Sequence, residues 1–187
     1  MKYTLLFLMC LGLTACVSAP KVRPFHLPDY TLSKPLIYQI QSKEIISQVH
    51  NSHRLPHIGH KMPVSPEDAI KDFVRQRFPE KQSALYTLKV VIENADMRQE
   101  HDIKDHWYQQ NNLKYTLTYS VRFQFYQGGV FMFEKALNGY EMQSVPKRTK
   151  LAEKEQIWQE MMTDMLKKIN QKLEEDNQTK APILSPL

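Results

Sequence analysis

The chain has 187 residues, of which 42% are hydrophobic and 24% charged, and its formal net charge is +5. This length and mixture fit one globular domain and exclude a disordered tail protein. The two cysteines, Cys10 and Cys16, both lie in the N-terminal segment. Disulfides, cysteine nucleophiles and cysteine-ligated zinc are therefore excluded from the rest of the chain.

The chain begins with a targeting segment. Lys2 precedes an unbroken apolar run over residues 5–13 (LLFLMCLGL). That run is about half the ~20 residues that a membrane-spanning helix needs, and it is typical of a signal peptide. Residues 13–16 (LTAC) resemble the lipobox of bacterial lipoproteins. The resemblance implies cleavage after Ala15 and acylation of Cys16 with palmitate-like chains. The alternative is an ordinary signal peptide, or an N-terminal helix that contains a cysteine.

The lipobox resemblance also implies a location. Two or more acyl chains give stable membrane attachment, and no later stretch is long and apolar enough to cross a bilayer. Val17 stands where an aspartate would resemble an inner-membrane retention signal. We therefore expect a lipid anchor in the outer membrane of a Gram-negative bacterium, with the protein facing the periplasm.

Proline content and apolar pattern divide the chain into four parts. Residues 1–15 form the signal peptide, and residues 16–34, with three prolines, form a lipidated tether. Residues 35–176 form one periplasmic α+β domain. Residues 177–187 form a flexible tail.

The first half of the domain contains two predicted strands and a helix. Apolar alternation predicts a first strand over residues 36–49, with a kink near residues 43–44. Ser65 and Pro66 predict a helix start, as N-cap and first helical residue, and the helix ends before Pro79. Residues 85–93 are rich in β-branched side chains and predict an interior strand.

The second half contains a hairpin and a long helix. Residues 94–112 are polar and predict a long loop. Residues 113–125 alternate strictly between apolar and polar side chains and predict a strand with one buried face. Gly128-Gly129 predicts a hairpin turn. The partner strand covers residues 130–145, with a bulge near Asn138-Gly139.

A helix predicted over residues 149–175 completes the order β-α-β-β-β-α. A right-handed crossover makes the first two strands parallel if they are neighbours, and the hairpin adds antiparallel strands. The expected fold is α+β, a mixed four-stranded sheet with two helices on one face.

Four histidines lie in one loop, and their imidazoles are good zinc or copper ligands. The loop supplies no carboxylate or thiol, so a solvated loop is the alternative. These residues are His50, His53, His57 and His60.

A second polar group lies in the predicted 94–112 loop, and its acids and imidazoles could do general acid/base work. No nucleophile motif or phosphate loop accompanies it, so we expect neither an enzyme nor a cofactor. The group comprises Glu100, His101, Asp102, Asp105 and His106, followed by Trp107.

The last helix carries a methionine-rich apolar stripe. Its members Trp158, Met161 and Met165 could dock a partner, or they could be core. Tyr126 and Tyr140 could form a ligand or partner surface on the sheet, unless a helix covers them.

The net charge becomes +4 once Lys2 is removed (24 basic minus 20 acidic residues). This modest excess argues against nucleic-acid binding and could favour binding to anionic lipid.

The whole layout resembles envelope lipoproteins that assist transport machines. It is similar to ABC-transport auxiliary lipoproteins and to the lipopolysaccharide-assembly lipoprotein. Residues 57–69 (HIGHKMPVSPEDA) and 91–95 (VIENA) resemble uncharacterised alphaproteobacterial lipoproteins. The resemblance implies a membrane-attached adaptor with an envelope protein or lipid as partner. It is also compatible with an oligomer. The alternative function is a periplasmic metal-binding protein that uses the histidine loop.

Overall fold

A computed structural model describes residues 24–31, 33, 36, 38–102 and 112–180, apart from the side chains of residue 102 and residues 176–180. Cys16, the signal peptide, most of the tether and the tail beyond residue 180 lie outside this part of the chain. So do Asp105, His106 and Trp107.

The described chain forms one four-stranded sheet with helices between and after the strands. The strands are β1 (Ile40–Ser47), β2 (Tyr86–Asp102), β3 (Asn112–Gln127) and β4 (Val130–Pro146). The helices are α1 (Pro66–Arg77) and α2 (Leu151–Lys180), and a 3-10 turn covers Gly59–Lys61. The predicted α+β class and element order are confirmed.

The strands lie in the sheet in chain order, β1-β2-β3-β4. β1 runs parallel to β2, with Ile45 opposite Val90, because α1 carries the chain back across the sheet. β2, β3 and β4 are antiparallel neighbours. Gly128 and Gly129 form the predicted hairpin turn with φ of 56° and 81°, a backbone region that favours glycine.

Alternation along β3 determines which face of the sheet is buried. Its odd-numbered residues from Leu113 to Phe125 are buried, and the even-numbered residues between them are partly exposed. Phe78, which caps α1, packs 5.8 Å from Phe123 between ring centroids, and Trp158 of α2 packs 5.7 Å from Tyr115. Both helices therefore cover the odd-numbered face, as the sequence predicts.

The capping residues explain where α1 begins and ends. Ser65 Oγ accepts a hydrogen bond from the Asp68 backbone N–H at 3.1 Å, which confirms the predicted N-cap. At the other end, Lys43 Nζ donates to the Phe78 carbonyl at 2.8 Å. A cation there satisfies a carbonyl that the helix leaves without a partner.

Three predicted boundaries were wrong. β1 is shorter than residues 36–49 and has its irregularity between Ile40 and Ser42, so the kink at 43–44 is absent. Residues 94–102 continue β2 rather than forming a loop, because a bulge after Ile92 keeps Ala95 and Met97 buried. α2 extends beyond the predicted 149–175 to Lys180.

The predicted bulge at Asn138-Gly139 was also wrong. The register is regular there, and Gly139 lies directly opposite Tyr119. A Cβ on Gly139 would lie 2.6 Å from Tyr119 Oη, so this glycine makes room for a tyrosine ring. The irregularity in this pair lies instead at Phe125/Tyr126, next to the turn.

Candidate docking edge

The outer side of β4 is the first element of a candidate site. Within the described ranges no strand pairs with this side, so β4 presents a 17-residue edge. Such an edge offers unpaired backbone N–H and C=O groups to another chain. β4 also carries several of the largest exposed apolar side chains of the described residues: Val130, Phe131, Met132, Tyr140 and Met142.

A groove of about 470 Å³ lies beside this edge, between β4 and α2. Tyr119, Leu137 and Ile169 supply its apolar surface, and Gly139 adds no side chain to fill it. The groove lies on the helix-covered side of the sheet, since Leu137 and Gly139 lie opposite Val121 and Tyr119 of β3. A strand added beside β4 would direct alternate side chains into this groove.

An ion pair crosses the groove. Lys168 of α2 donates to Glu141 of β4, and this hydrogen bond raises the pKa of Lys168. Burial raises the pKa of Tyr119. The groove therefore combines an apolar floor with a charged rim that joins the helix to the strand.

The open face of the sheet carries a polar network beside the edge. Arg122 Nη2 lies 2.7 Å from Glu93 Oε1, and Ser120 Oγ donates to Glu93 Oε2 at 2.8 Å. Asn94 donates to Thr118 at 2.9 Å. Tyr140 and Met142, opposite Thr118 and Thr116, lie on this same face, 68% and 54% exposed, and no described helix covers them.

At the opposite side of the sheet, the histidine loop continues the pairing with β2 beyond the end of β1. Beyond β1, the Gln48 N–H donates to the Ile92 carbonyl and the Ile58 N–H to the Met97 carbonyl, both at 2.8 Å. The Gln99 N–H donates to the Pro56 carbonyl at 2.7 Å. The loop therefore satisfies the backbone of β2 where β1 has ended.

A histidine–aspartate contact fixes this loop to the sheet. His57 Nδ1 lies 2.7 Å from Asp96 Oδ2, and Asp96 is 5% exposed. A buried carboxylate needs such a partner, because desolvation without one is costly. Sequence reasoning missed Asp96, since it lies in the stretch predicted to be a loop.

The histidines do not assemble into a metal site. His57 is bonded to Asp96, His53 stacks on His60 with ring centroids 5.2 Å apart, and His50 is exposed. Among the described residues, no group of three or more His, Cys, Asp or Glu side chains is placed to hold a metal ion. The metal-binding alternative gains no support from this geometry.

The methionine stripe belongs to the core. Trp158, Met161 and Met165 are 4%, 5% and 0% exposed, because α2 turns them onto the sheet. Of the two alternatives, core or docking surface, these side chains are therefore core. A docking role for them would require α2 to leave the sheet.

Of the second polar group, Glu100 and His101 are exposed near the end of β2.

No described helix has the length and apolar character needed to cross a membrane.

The sequence matches no protein-family model and no curated protein. Among solved structures, the chain is similar to a minor lipoprotein from Acinetobacter baumannii, with 13% identity and a TM-score of 0.39 over 76% of this chain and 95% of that one. It is also similar to the rare lipoprotein B from Shewanella oneidensis, with 13% identity and a TM-score of 0.39 over 74% of this chain and 97% of that one. TM-scores this low do not establish a shared fold, and identities this low carry over no function.

Proposed function

We propose that this chain is a non-enzymatic, lipid-anchored adaptor of the bacterial outer membrane that faces the periplasm and binds an extended segment of a partner envelope protein along β4. The observation that carries the proposal is the long outer edge of β4, with which no described segment pairs, beside the groove between β4 and α2. The anchor is Cys16, which the lipobox resemblance singles out. Lipid or lipopolysaccharide transport is the process that such a partner would serve.

Strand addition fits this edge for two reasons. Backbone hydrogen bonds to the edge supply affinity whatever the partner's sequence, and pockets for alternate side chains supply specificity. β4 offers the first along its outer side, and the groove over Leu137, Gly139 and Ile169 offers the second. The partner segment we propose is therefore extended, with small or apolar side chains at every second position.

The two faces of the added strand would meet different surfaces. Its helix-side residues would enter the groove, beside the Lys168–Glu141 pair. Its other residues would lie beside Tyr140 and Met142 on the open face. Burying these exposed apolar side chains would add about 25 cal/mol for each Å² removed from water.

Photo-crosslinking in living cells tests the docking edge. A photoreactive phenylalanine analogue replaces Tyr140 or Met142 in one set of strains and Leu55, which is 60% exposed in the histidine loop, in the control. We expect one envelope protein to crosslink from both β4 positions and not from Leu55. Equal crosslinking from all three positions, or none from β4, would contradict the proposal.

Fatty-acid labelling tests the anchor separately. Cells are grown with a clickable palmitate analogue, and wild type is compared with Cys16→Ser. We expect label and outer-membrane fractionation in the wild type and loss of both in the variant, with Cys10→Ser unchanged because the signal peptide is removed. An unlabelled wild-type chain would refute lipidation and leave the β4 test valid.

A further inference from the structure

A second cavity, of about 150 Å³, lies where the segment before β1 crosses the C-terminal end of α1. It is separate from the β4 groove and shares no lining residue with it. The residues that matter for its chemistry are Tyr30, Leu36, Gln76, Arg77, Phe78 and Lys81.

Arg77 places a positive charge in the wall of this cavity. The residue is 4% exposed, which is unusual for arginine. Its Nε donates to Asn170 Oδ1 at 2.6 Å and its Nη2 to Glu174 Oε1 at 3.0 Å, both from α2. Arginine has five N–H donors in a planar fork, so these two bonds leave donors for a further acceptor.

Tyr30 supplies a second donor. The residue is 6% exposed, and its buried hydroxyl makes no hydrogen bond with any residue in the part of the chain that the structure describes. Burial raises the pKa of Tyr30 to about 12, so the hydroxyl remains a neutral donor at any physiological pH. A buried donor without a partner is costly, and a ligand acceptor would remove that cost.

The charge of the lining points to an anion. Arg77 and Lys81 line the cavity, and no carboxylate is among its described lining residues. Glu174 neutralises part of the Arg77 charge from the α2 side. Leu36, Phe78 and the ring of Tyr30 give the cavity an apolar part.

We propose that this cavity binds a small organic carboxylate of about the size of benzoate. The carboxylate oxygens would accept from Arg77 and from the Tyr30 hydroxyl, and the apolar part would lie against Leu36 and Phe78. A cavity of roughly this volume holds a benzene-sized molecule. Inorganic phosphate would satisfy the donors and leave the apolar part unfilled.

Calorimetric titration of the full chain in detergent tests the proposal, with benzoate, its neutral isostere benzamide and inorganic phosphate as probes. We expect benzoate to bind at least tenfold more tightly than either of the others. In NMR spectra, benzoate should shift the amides of Gln76 and Arg77. If benzamide bound as tightly as benzoate, the site would be an apolar cavity that does not recognise the carboxylate charge, and the proposal would fail. Tighter binding of phosphate would overturn the carboxylate assignment.

Two tyrosine variants make the test specific. Tyr30→Phe removes only a hydroxyl that none of the described residues partners. It should weaken benzoate binding about 3- to 10-fold, the size of one hydrogen bond, without lowering stability to urea. Tyr126→Phe removes a hydroxyl on the open face and should leave the affinity unchanged. No detectable benzoate binding at millimolar concentration, or equal affinity in wild type and Tyr30→Phe, would overturn the proposal.

Discussion

The two outer strands of the sheet differ in length and in what lies beside them. On the β1 side, the strand is short, and the histidine loop continues its hydrogen bonding along β2 as far as Gln99. On the β4 side, no described segment pairs with the outer side of a 17-residue strand that carries exposed Tyr140 and Met142. Proteins usually shorten, charge or cover a long exposed apolar edge, because such an edge pairs readily with other chains. The longer edge, with its exposed apolar side chains, is therefore the better candidate for binding another chain.

The largest expected effect comes from detaching the histidine loop from β2. Ile58 is 1% exposed, and its N–H bonds to β2, so Ile58→Ala should destabilise the protein by about 2–5 kcal/mol. Urea denaturation measures this, and hydrogen exchange should accelerate at the Gln99 amide. Leu55→Ala in the same loop is the control and should change stability by less than about 0.5 kcal/mol. Equal losses in the two variants would show that the loop is not anchored by Ile58.

The His57–Asp96 contact should contribute less. His57→Ala leaves a buried carboxylate without its partner, and Asp96→Ala leaves the imidazole without its acceptor, so each should cost about 1–3 kcal/mol. The double variant should cost less than the sum of the two, because the contact is lost only once. Additive losses in a double-mutant cycle would mean that the two side chains act independently.

A smaller effect is expected at the open edge itself. Gly139→Ala places a methyl group against the Tyr119 ring and should cost about 1 kcal/mol, the low end for overpacking, since the ring end can shift towards the groove. Gly59→Ala is a matched control, because its nearest neighbour lies at an ordinary 3.6 Å. In the crosslinking assay, Gly139→Ala should also reduce partner capture by narrowing the groove. Unchanged capture would show that the groove takes no part in binding the partner.

The smallest effect on stability should come from changing the exposed edge side chains. The double variant Tyr140→Lys/Met142→Lys should unfold within about 0.5 kcal/mol of wild type, because both side chains are exposed. Capture of the partner should nevertheless fall, since lysines on an edge oppose strand addition. Retained capture with unchanged stability would remove these side chains from the proposed interface.

Local signals predicted most of the elements. The alternation of β3, the Ser65 cap of α1 and the Gly128-Gly129 turn each depend on residues close together in sequence, and the structure confirms all three. The stretch 94–102 was misjudged because the partner that makes Asp96 acceptable in a strand is His57, 39 residues away. A polar strand residue satisfied by a distant loop gives no periodic signal.

The candidate site was harder to predict than the fold. Which strand lies at an edge depends on the sheet order, and what pairs with β2 beyond the end of β1 depends on where the loop after β1 lies. The cavity at Arg77 also depends on distant contacts, with α2 supplying Asn170 and Glu174. Sequence could place the histidines in one loop, but it could not show that this loop continues the sheet.

The Gly128-Gly129 turn has a consequence for the order of folding. It joins β3 and β4 through only two residues, whereas the parallel β1–β2 pair must wait for α1 to cross between Ile40 and Tyr86. Closing the short loop costs far less chain entropy, so we expect the β3–β4 hairpin to form early. The outer side of β4 is then available for pairing while the chain is still folding, before α2 completes the core. An occupant could therefore act during folding, as a template for the growing sheet, as well as on the finished domain.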